Sequence, residues 1–275
     1  MGLRSKASVS RDPSLITHHS SPIMRVSAII ITKNAEATIR RCLESVRWTD
    51  EIVVVDSGST DRTLEICREF GANVHQTSDW PGHGPQKNRA LDRAGGDWIV
   101  ALDSDEWVTP ELRVEVERVI AEPGGKAAFG IPRRSSFCGR FLRHSGWWPD
   151  HVVRLFRRDS ARFSEDHTHD RLIVNGATGR LRAPIMHEAI TDLDQMLVKM
   201  NMYSTSAAHM KLREGRKASL FTALLHGGWA FFRTYVLRLG FLDGREGFML
   251  AVANAEGSYY RYLKLMLLSE RIGNE

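Results

Sequence analysis

Two acidic residues at the end of an apolar run carry the clearest chemical signal in this sequence. The run 99–102 leads directly into Asp103-Ser104-Asp105, and because alternate residues of a strand point to the same side, both carboxylates can face one ligand. Such acids hold Mg²⁺ or Mn²⁺, which takes phosphate oxygens and water as further ligands. The pair predicts a divalent-cation site that binds a diphosphate. The alternative is helix capping before Pro110.

A second apolar run, 52–55, also ends in an acid, Asp56, followed by Ser57 and a turn. Two buried strands that each carry an Asp at the carboxyl end indicate a nucleotide crevice at the edge of an open α/β sheet. The Asp56 carboxylate can accept hydrogen bonds from a base N–H or a ribose hydroxyl. The alternative is an Asx turn that only closes the strand.

Two further segments are placed to touch the same ligand. Thr32, Asn34 and Glu36 belong to the turn after the first predicted strand, on the other side of the predicted crevice. Lys87 and Asn88 open a helix after a Gly/Pro-rich loop, where a cation and free backbone N–H groups favour an anion. By itself, the turn at 32–36 is only a connection between a strand and a helix.

Residues 164–170 contain three acids and two histidines. The His-x-His pair lacks the Cys or third His that would complete a zinc site, so a general base drawn from these acids is the better interpretation. A later pair, His187-Glu188, is interpreted as a structural histidine beside an acid of unknown role.

Strands and helices alternate between residues 25 and 125, which predicts a mostly parallel open sheet with right-handed crossovers and flanking helices. After residue 126, short strands lie between loops rich in Arg, His and Trp, and from residue 192 onward the sequence predicts helix. The expected fold class is α/β with a helical C-terminal extension. The predicted strands of the first half are 25–32, 51–56, 72–76 and 97–102, and the helices are 35–46, 60–70, 86–94 and 109–122.

The composition, 42% hydrophobic and 26% charged, is that of an ordinary globular protein. The length of 275 residues suits either one large domain or one domain with an appendage. Residues 1–24 are polar and lack the apolar core of a signal peptide, so we expect a disordered leader. Three cysteines without metal or paired spacing suit a reducing cytosol.

Positive charge is concentrated in two stretches of the chain. Residues 133–162 contain eight Arg and two Asp, and residues 211–245 contain seven Lys or Arg and two acids; both suit anionic partners. Residues 220–242 are strongly apolar but interrupted by Arg233 and Arg238. That pattern is typical of an interfacial rather than a bilayer-crossing helix, and the alternative is a buried helix or a dimer face.

Four short motifs follow one another in a recognisable order. They are Ile-Thr-Lys-Asn-Ala-Glu, Val-Val-Asp-Ser-Gly-Ser-Thr-Asp, Gln-Lys-Asn-Arg-Ala and Leu-Asp-Ser-Asp-Glu. This order resembles glycosyltransferase family 2 on the GT-A fold. Two later segments, Val-Val-Arg-Leu-Phe-Arg-Arg and Arg-Leu-Gly-Phe-Leu-Asp-Gly-Arg-Glu-Gly, are similar to the lipopolysaccharide-core β-glucosyltransferases. The resemblance covers about residues 25 to 268.

The resemblance implies that a hexose, glucose in the first instance, moves from a UDP-sugar to an acceptor hydroxyl with inversion at the anomeric carbon. It implies Asp56 near the uracil, Asp103 near the ribose and Asp105 on the metal, Mg²⁺ or Mn²⁺. The spacing of the acid pair makes Asp103 the second candidate ligand of that metal. Ser57 and Ser104 complete the predicted donor contacts.

The predicted base also depends on the resemblance. Members of the subgroup carry His-Glu where this chain has His169-Asp170, which makes Asp170 the predicted base. The aspartate is one methylene shorter than glutamate, so Glu165 and Asp166 remain alternates.

The implied acceptor is a membrane glycolipid, the lipopolysaccharide inner core, at the cytoplasmic face of the membrane; no nucleic acid is expected as a partner. Predicted acceptor and membrane contacts are Arg154, Arg157, Trp147, Trp148, Arg233 and Arg238, of which the two tryptophans would cover the sugar. The domains follow as a catalytic part at 25–190, divided into a nucleotide-binding half (25–125) and an acceptor half (126–190), and a membrane-associated extension at 191–275.

Three alternatives to a glycosyltransferase remain at this point. A sugar-nucleotide nucleotidyltransferase needs a Gly-rich basic loop after its first strand, and residues 32–36 contain no Gly. A phosphohydrolase needs its Asp-x-Asp on the first strand, whereas here the motif follows the fourth. A non-catalytic membrane adaptor that keeps the fold predicts no metal-dependent binding of UDP.

Overall fold

The first half of the chain forms four parallel strands connected by helices, as predicted. The computed structural model describes residues 24–165 and 171–273. Its first strands are β1 (Val26–Thr32), β2 (Glu51–Asp56), β3 (Asn73–Gln76) and β4 (Trp98–Asp103), in the spatial order β3-β2-β1-β4. The helices are α1 (Ile39–Ser45), α2 (Thr63–Glu69), α3 (His83–Leu91) and α4 (Pro110–Ala121). The predicted start of α3 at residue 86 is wrong: the helix begins at His83, so Lys87 and Asn88 lie inside it and not at its N-terminus.

The register of these strands brings the predicted donor residues to one edge of the sheet. Thr32 lies opposite Asp56, and Ile31 lies opposite Asp103. Every residue of β1 is buried, as expected for a central strand with both faces covered. Its alternate side chains enter two different cores, with Ile30 on the face of α1, α2 and α4 and Ile29 on the face of α3.

The second half of the chain extends the sheet with mixed strand directions. The added strands are β5 (Glu106–Val108), β6 (Lys126–Phe137), β7 (Arg140–Phe141), β8 (Asp150–Arg157), β11 (Ala177–Arg180) and β12 (Ile185–Ile190), with β9 (Ala161–Phe163) and β10 (Leu172–Val174) paired separately. The path continues β4-β8-β6-β12-β5, in which β8 is antiparallel to both β4 and β6, while β12 is parallel to β6. The α/β prediction is confirmed: β1 to β4 pair with one another only in parallel, whereas the second half contains both directions.

The predicted helical extension consists of α5 (Leu193–Arg213), α6 (Leu220–Phe232) and α7 (Gly244–Gly273), with both α5 and α6 packed on α7. Side chains cap two of these helices, since Asp192 accepts a hydrogen bond from the Gln195 N–H and Ser219 accepts one from the Thr222 N–H. A π-helical turn (Arg233–Leu237) and a 3₁₀ turn (Gly240–Asp243) connect α6 to α7. Within the described residues, every helix is too short or too polar to cross a membrane.

Close backbone packing at the start of α7 predicts a large stability effect at Gly247. A β-carbon at this position would lie 1.9 Å from the carbonyl oxygen of Gly240. We therefore expect Gly247→Ala to lower the free energy of unfolding by about 3 kcal/mol, measured by urea denaturation. Gly228 of α6 is the matched control, because a β-carbon there meets nothing within 4 Å. Gly228→Ala should raise stability by up to about 1 kcal/mol, and equal losses for both variants would contradict the packing argument.

Candidate active site

A buried ion-pair network surrounds the first acid of the Asp-x-Asp motif. Lys87 Nζ lies 3.0 Å from Asp103 Oδ1, and Arg154 Nη2 lies 2.5 Å from Asp103 Oδ2. Arg154 also contacts the Glu106 carboxylate at 2.8 Å, while the other oxygen of Glu106 accepts the Asp103 N–H at 3.0 Å. Glu106 is fully buried and Arg154 nearly so. Arg133 of β6 adds a third cation, 3.3 Å from the same Glu106 oxygen. Three cations therefore face the carboxylates of Asp103 and Glu106, and all of these side chains come from strands or from α3.

The cations keep this network ionised. Burial alone would raise the pKa of the Asp103 carboxyl, but the charges of Arg154 and Lys87 outweigh it and hold that pKa well below its usual range. Burial opposes the charge on Arg154 in the same way, and the carboxylates of Asp103 and Glu106 raise its pKa above the usual value. At neutral pH, Asp103 is a carboxylate and Arg154 a guanidinium.

Two arginines of β8, Arg154 and Arg157, were both predicted to be acceptor or membrane contacts, and the structure places them in different surroundings. Arg154 is buried at the site itself. Arg157 lies opposite Trp98, the first residue of β4, with its guanidinium 5.0 Å from the centre of the Trp98 ring. Because Asp103 is the last residue of β4, Arg157 lies at the other end of the strand from the acids.

The second acid of the motif, Asp105, lies beside a histidine. Asp105 Oδ2 is 3.5 Å from His187 Nε2, and the other ring nitrogen of His187 is 2.9 Å from Ser135 Oγ. The backbone also joins these strands, since the Glu188 N–H donates to the Asp105 carbonyl at 2.9 Å. His187, interpreted from sequence as structural, thus contacts the motif; the antiparallel pairing of β12 with β5 brings it there.

Asp105 has the features of a metal ligand. Its Oδ1 is buried without a hydrogen-bond partner among the described residues, and carboxylate oxygens are the ligands that suit Mg²⁺ or Mn²⁺. Residues 24–165 and 171–273 contain no group of three His, Cys, Asp or Glu side chains arranged to hold a metal. Magnesium binds through one or two carboxylates plus substrate phosphates and water, so Asp105 fits that mode. Asp103 already contacts two cations, and its role as a second ligand stays a prediction.

The Asp56 carboxylate is completely buried in the turn that follows β2. Its Oδ2 accepts the N–H groups of Gly58 and Ser59 at 3.0 and 2.9 Å, and the Ser59 hydroxyl donates to Oδ1. This is the Asx-turn arrangement that the sequence left open. The carboxylate fixes the shape of the turn, and its contact with a base stays a prediction.

The loops after β1 and β2 are joined by reciprocal hydrogen bonds. The Asn34 N–H donates to Ser59 Oγ at 2.8 Å, and Asn34 Oδ1 accepts the Thr60 N–H at 2.8 Å. Glu36 makes a similar pair, in which its N–H donates to Asp61 and its carboxylate accepts the Arg62 N–H at 3.0 Å. Asn34 and Glu36 therefore form one wall with the Asp56 turn.

Two predicted donor residues next to this wall have different surroundings. The hydroxyl of Thr32 is buried without a hydrogen-bond partner in the described part of the chain, at the position opposite Asp56. The hydroxyl of Ser57 accepts a hydrogen bond from Gln86 Nε2 at 2.8 Å. Gln86, which the sequence analysis did not assign to the site, ties α3 to β2, and only its place in the Gln-Lys-Asn-Arg motif signals it.

Asn88 anchors the strand that leads into the predicted base segment. Its amide donates to the Phe163 carbonyl at 2.9 Å and accepts the Phe163 N–H at 3.0 Å. Both hydrogen-bonding ends of the side chain thus contact β9, and its assignment to the nucleotide stays a prediction.

The ends of the predicted base segment are fixed close together. The Ser164 N–H donates to the Arg171 carbonyl at 2.8 Å, and the Arg171 N–H donates to Ser164 Oγ at 3.1 Å. Glu165 is exposed. Asp166 and Asp170 lie outside the described residues, so the choice among the three acids stays a prediction.

The predicted tryptophan loop packs against the helical extension. Trp147 contacts the edge of Phe137 with ring centres 6.0 Å apart, in a cluster with Leu142 and Leu250. Trp148 and Ser104 are half-buried, whereas Arg233 and Arg238 are exposed on the connection between α6 and α7. The structure thus brings the predicted donor residues together. The predicted acceptor and membrane residues are spread over four places: the site itself (Arg154), the far end of β8 (Arg157), the Trp147 loop and the extension.

Comparison with known proteins supplies the family. The profile described as Glycosyl transferase family 2 matches residues 27–185, which include both Asp56 and the Asp-x-Asp motif. The chain belongs to glycosyltransferase family 2. This glycosyltransferase is 30% identical over 262 residues to an uncharacterized glycosyltransferase of Rickettsia typhi, covering 91% of this chain and 89% of the relative.

A second relative has a more specific name. The lipopolysaccharide core biosynthesis glycosyltransferase LpsC of Rhizobium meliloti is 27% identical to this glycosyltransferase over 261 residues, covering 91% of this chain and 94% of that protein. Among solved structures, S. aureus TarS residues 1–349 in complex with UDP is 19% identical with a TM-score of 0.48, covering 91% of this chain and 92% of that chain. A similarity at that level is too low to transfer a ligand.

Proposed function

We propose that this family 2 glycosyltransferase transfers a hexose, glucose in the first instance, from a UDP-sugar to a membrane-held glycolipid of the lipopolysaccharide inner core. The observation that carries the donor half is the arrangement of Asp105 and the Lys87–Asp103–Arg154 network at the carboxyl edge of the parallel strands. The kinship with LpsC over nearly the whole chain supports the acceptor class. We place the protein in the cytoplasm, peripheral on the inner face of the cytoplasmic membrane.

The chain's own charges suit a departing diphosphate. Transfer with inversion forms a bond from the acceptor oxygen to the anomeric carbon while the bond to the diphosphate breaks, and the electron pair leaves with UDP. Preorganised cations stabilise charge that develops at this leaving group. Lys87 and Arg154 are held by carboxylates within 3.0 Å, so they need little reorganisation during the reaction.

Asp105 would hold Mg²⁺ or Mn²⁺, with His187 orienting its carboxylate. A bound divalent cation supplies Lewis-acid neutralisation of the diphosphate. The wall formed by Asn34, Glu36 and the Asp56 turn would bind the nucleoside, and Thr32 offers a buried hydroxyl without a hydrogen-bond partner in the described part of the chain. Holding donor and acceptor in line contributes about 7 kcal/mol or more to lowering the barrier.

The acceptor hydroxyl loses its proton to a carboxylate of the 164–170 segment, which we assign to Asp170. We expect Asp170→Asn to lower kcat at least about a hundredfold while donor affinity changes little. Steady-state kinetics of UDP release, with donor binding by calorimetry, separate the two effects. Glu165→Gln and Asp166→Asn are the matched variants, and the assignment is wrong if either of them reproduces the kcat loss and Asp170→Asn does not.

The function as a whole is tested on the glycolipid. Mass spectrometry of the lipopolysaccharide core from a strain lacking this protein should show a core that is one hexose shorter. Purified protein, UDP-glucose and Mn²⁺ should restore that mass on the isolated truncated glycolipid. An unchanged core in the deletion strain contradicts the proposed acceptor. If the purified protein binds no UDP either with or without Mn²⁺, the non-catalytic adaptor is favoured.

A further inference from the structure

Helix α6 and the segment that connects it to α7 present a large apolar surface to solvent. Phe221, Leu225, Trp229, Phe232 and Val236 are all exposed and recur every three or four residues, so they form one stripe along α6 and the π-helical turn. Phe241 and Leu242 of the 3₁₀ turn are also exposed. We define the exposed apolar side chains between residues 220 and 242 as the docking face. Apolar patches of this extent mark interaction sites.

The charges around the docking face are mostly positive. Residues 211–246 contain seven Lys or Arg and three acids. Two of the acids, Asp243 and Glu246, are buried, and Asp243 accepts three hydrogen bonds while Glu246 pairs with Arg245. The basic residues Lys217, Arg233 and Arg238 are exposed. An apolar stripe with a basic border complements a bilayer that carries anionic headgroups.

We propose that the docking face binds the surface of an anionic phospholipid bilayer and fixes the position of the active site relative to it. The proposal deepens the proposed function, on which it rests for the membrane-held acceptor. Side chains of the stripe enter the headgroup and acyl boundary, while the basic residues contact lipid phosphates.

Contiguous contacts connect the docking face to Asp105. Asp243, next to Phe241 and Leu242, accepts the N–H groups of Arg143 and His144 at 2.9 and 3.0 Å and the Ser145 hydroxyl at 2.9 Å. These hydrogen bonds hold the loop that carries Trp147 against the 3₁₀ turn. The buried carboxylate therefore joins the lipid-facing turn to the acceptor half of the enzyme.

The same loop reaches the metal-binding acid at its other end. The Leu142 N–H donates to the Ser135 carbonyl at 3.1 Å, and Ser135 Oγ lies 2.9 Å from the His187 ring that contacts Asp105. The Trp147 loop thus joins the docking face to the Asp105 side of the site. A lipid-anchored acceptor would approach the enzyme from that side.

Vesicle flotation of the full chain tests the docking face. The protein should float with vesicles of phosphatidylcholine containing 30% phosphatidylglycerol and bind pure phosphatidylcholine far more weakly. The double variant Leu225→Ser/Trp229→Ser should lose at least about tenfold in partitioning. Lys217→Gln/Arg233→Gln should lose about fivefold per charge on the anionic vesicles and change little on the neutral ones.

Matched controls come from the catalytic part of the chain. Val114→Ser/Ile173→Ser removes apolar side chains of similar exposure, 65% and 63% against 57% and 54% for Leu225 and Trp229. Arg47→Gln/Arg118→Gln removes two exposed charges. Both should float like the unchanged protein. The proposal is overturned if the controls lose as much as the docking-face variants, or if neutral and anionic vesicles bind equally.

A second copy of the chain is the competing occupant. Without vesicles, analytical ultracentrifugation should give the same oligomeric state for the unchanged protein and for Leu225→Ser/Trp229→Ser. A dimer that this double variant dissociates, together with a protein that does not float, overturns the bilayer assignment. Calorimetric titration of UDP with Mn²⁺ in the same samples keeps the two proposals distinguishable. Flotation without UDP binding contradicts the proposed function alone, and UDP binding without flotation contradicts the docking face alone.

Discussion

Replacing Asp105 by asparagine should lower kcat/KM for sugar transfer by about a thousandfold, since metal neutralisation of a leaving group is worth several kcal/mol. Asparagine keeps the size of the side chain but removes the charge, and the fold should stay intact. The measurement is UDP release at increasing Mn²⁺ concentration. Residual activity of Asp105→Asn should no longer depend on Mn²⁺.

Two further variants make this result specific. His187→Gln should require about 10- to 100-fold more Mn²⁺ for half-maximal activity, because it removes a group that orients the ligand. Asp159→Asn changes a carboxylate that is 86% exposed on the turn after β8 and should behave like the unchanged protein. An Asp105→Asn enzyme that keeps its activity and its Mn²⁺ dependence would exclude this residue as the metal ligand.

Replacing Arg154 by methionine should lower the free energy of unfolding by about 3 kcal/mol, because Asp103 and Glu106 each lose a buried cationic partner. Asp103 then keeps only Lys87, and Glu106 keeps only Arg133. Urea unfolding without nucleotide measures the effect. Transfer activity should fall as well, since Asp103 loses one of the two cations that position it.

Arg157 offers a control on the same strand. Its partner is the Trp98 ring, and Arg157→Met should cost about 1 kcal/mol. The double variant Glu106→Gln/Arg154→Met should be less destabilised than the sum of the two single variants, because the two side chains contact each other at 2.8 Å and their shared interaction is lost only once. Strictly additive losses would show that the network contributes nothing as a unit.

The sequence predicted the half of the site that depends on local pattern. Short apolar runs that end in Asp56 and Asp103 indicate buried strands, and the parallel pairing of β1 with β2 and β4 confirms that these acids share an edge. The helical extension was predictable for a similar reason, because the pattern that favours a helix is set by residues that are close together in the chain.

The contacts that complete the site depend on pairings between distant parts of the chain. Arg154 reaches Asp103 because β8 pairs antiparallel with β4, and the sequence around β8 does not indicate that pairing. A charged residue within the apolar run 152–156 was the one available signal, and it was interpreted as an acceptor or membrane contact. His187 reaches Asp105 only because β12 pairs with β5, a strand of three residues that the sequence analysis did not predict.

The central claim is that Asp105 holds a divalent cation on the diphosphate of a UDP-sugar. Crystals of the full chain grown with UDP and MnCl₂ test it most directly, through anomalous diffraction at the manganese edge. We predict one strong anomalous peak within coordination distance of Asp105 and of the UDP phosphates, with Lys87 and Arg154 beside the same phosphates. Ordered UDP with the manganese peak elsewhere, or with Asp105 turned away from the nucleotide, would contradict the account.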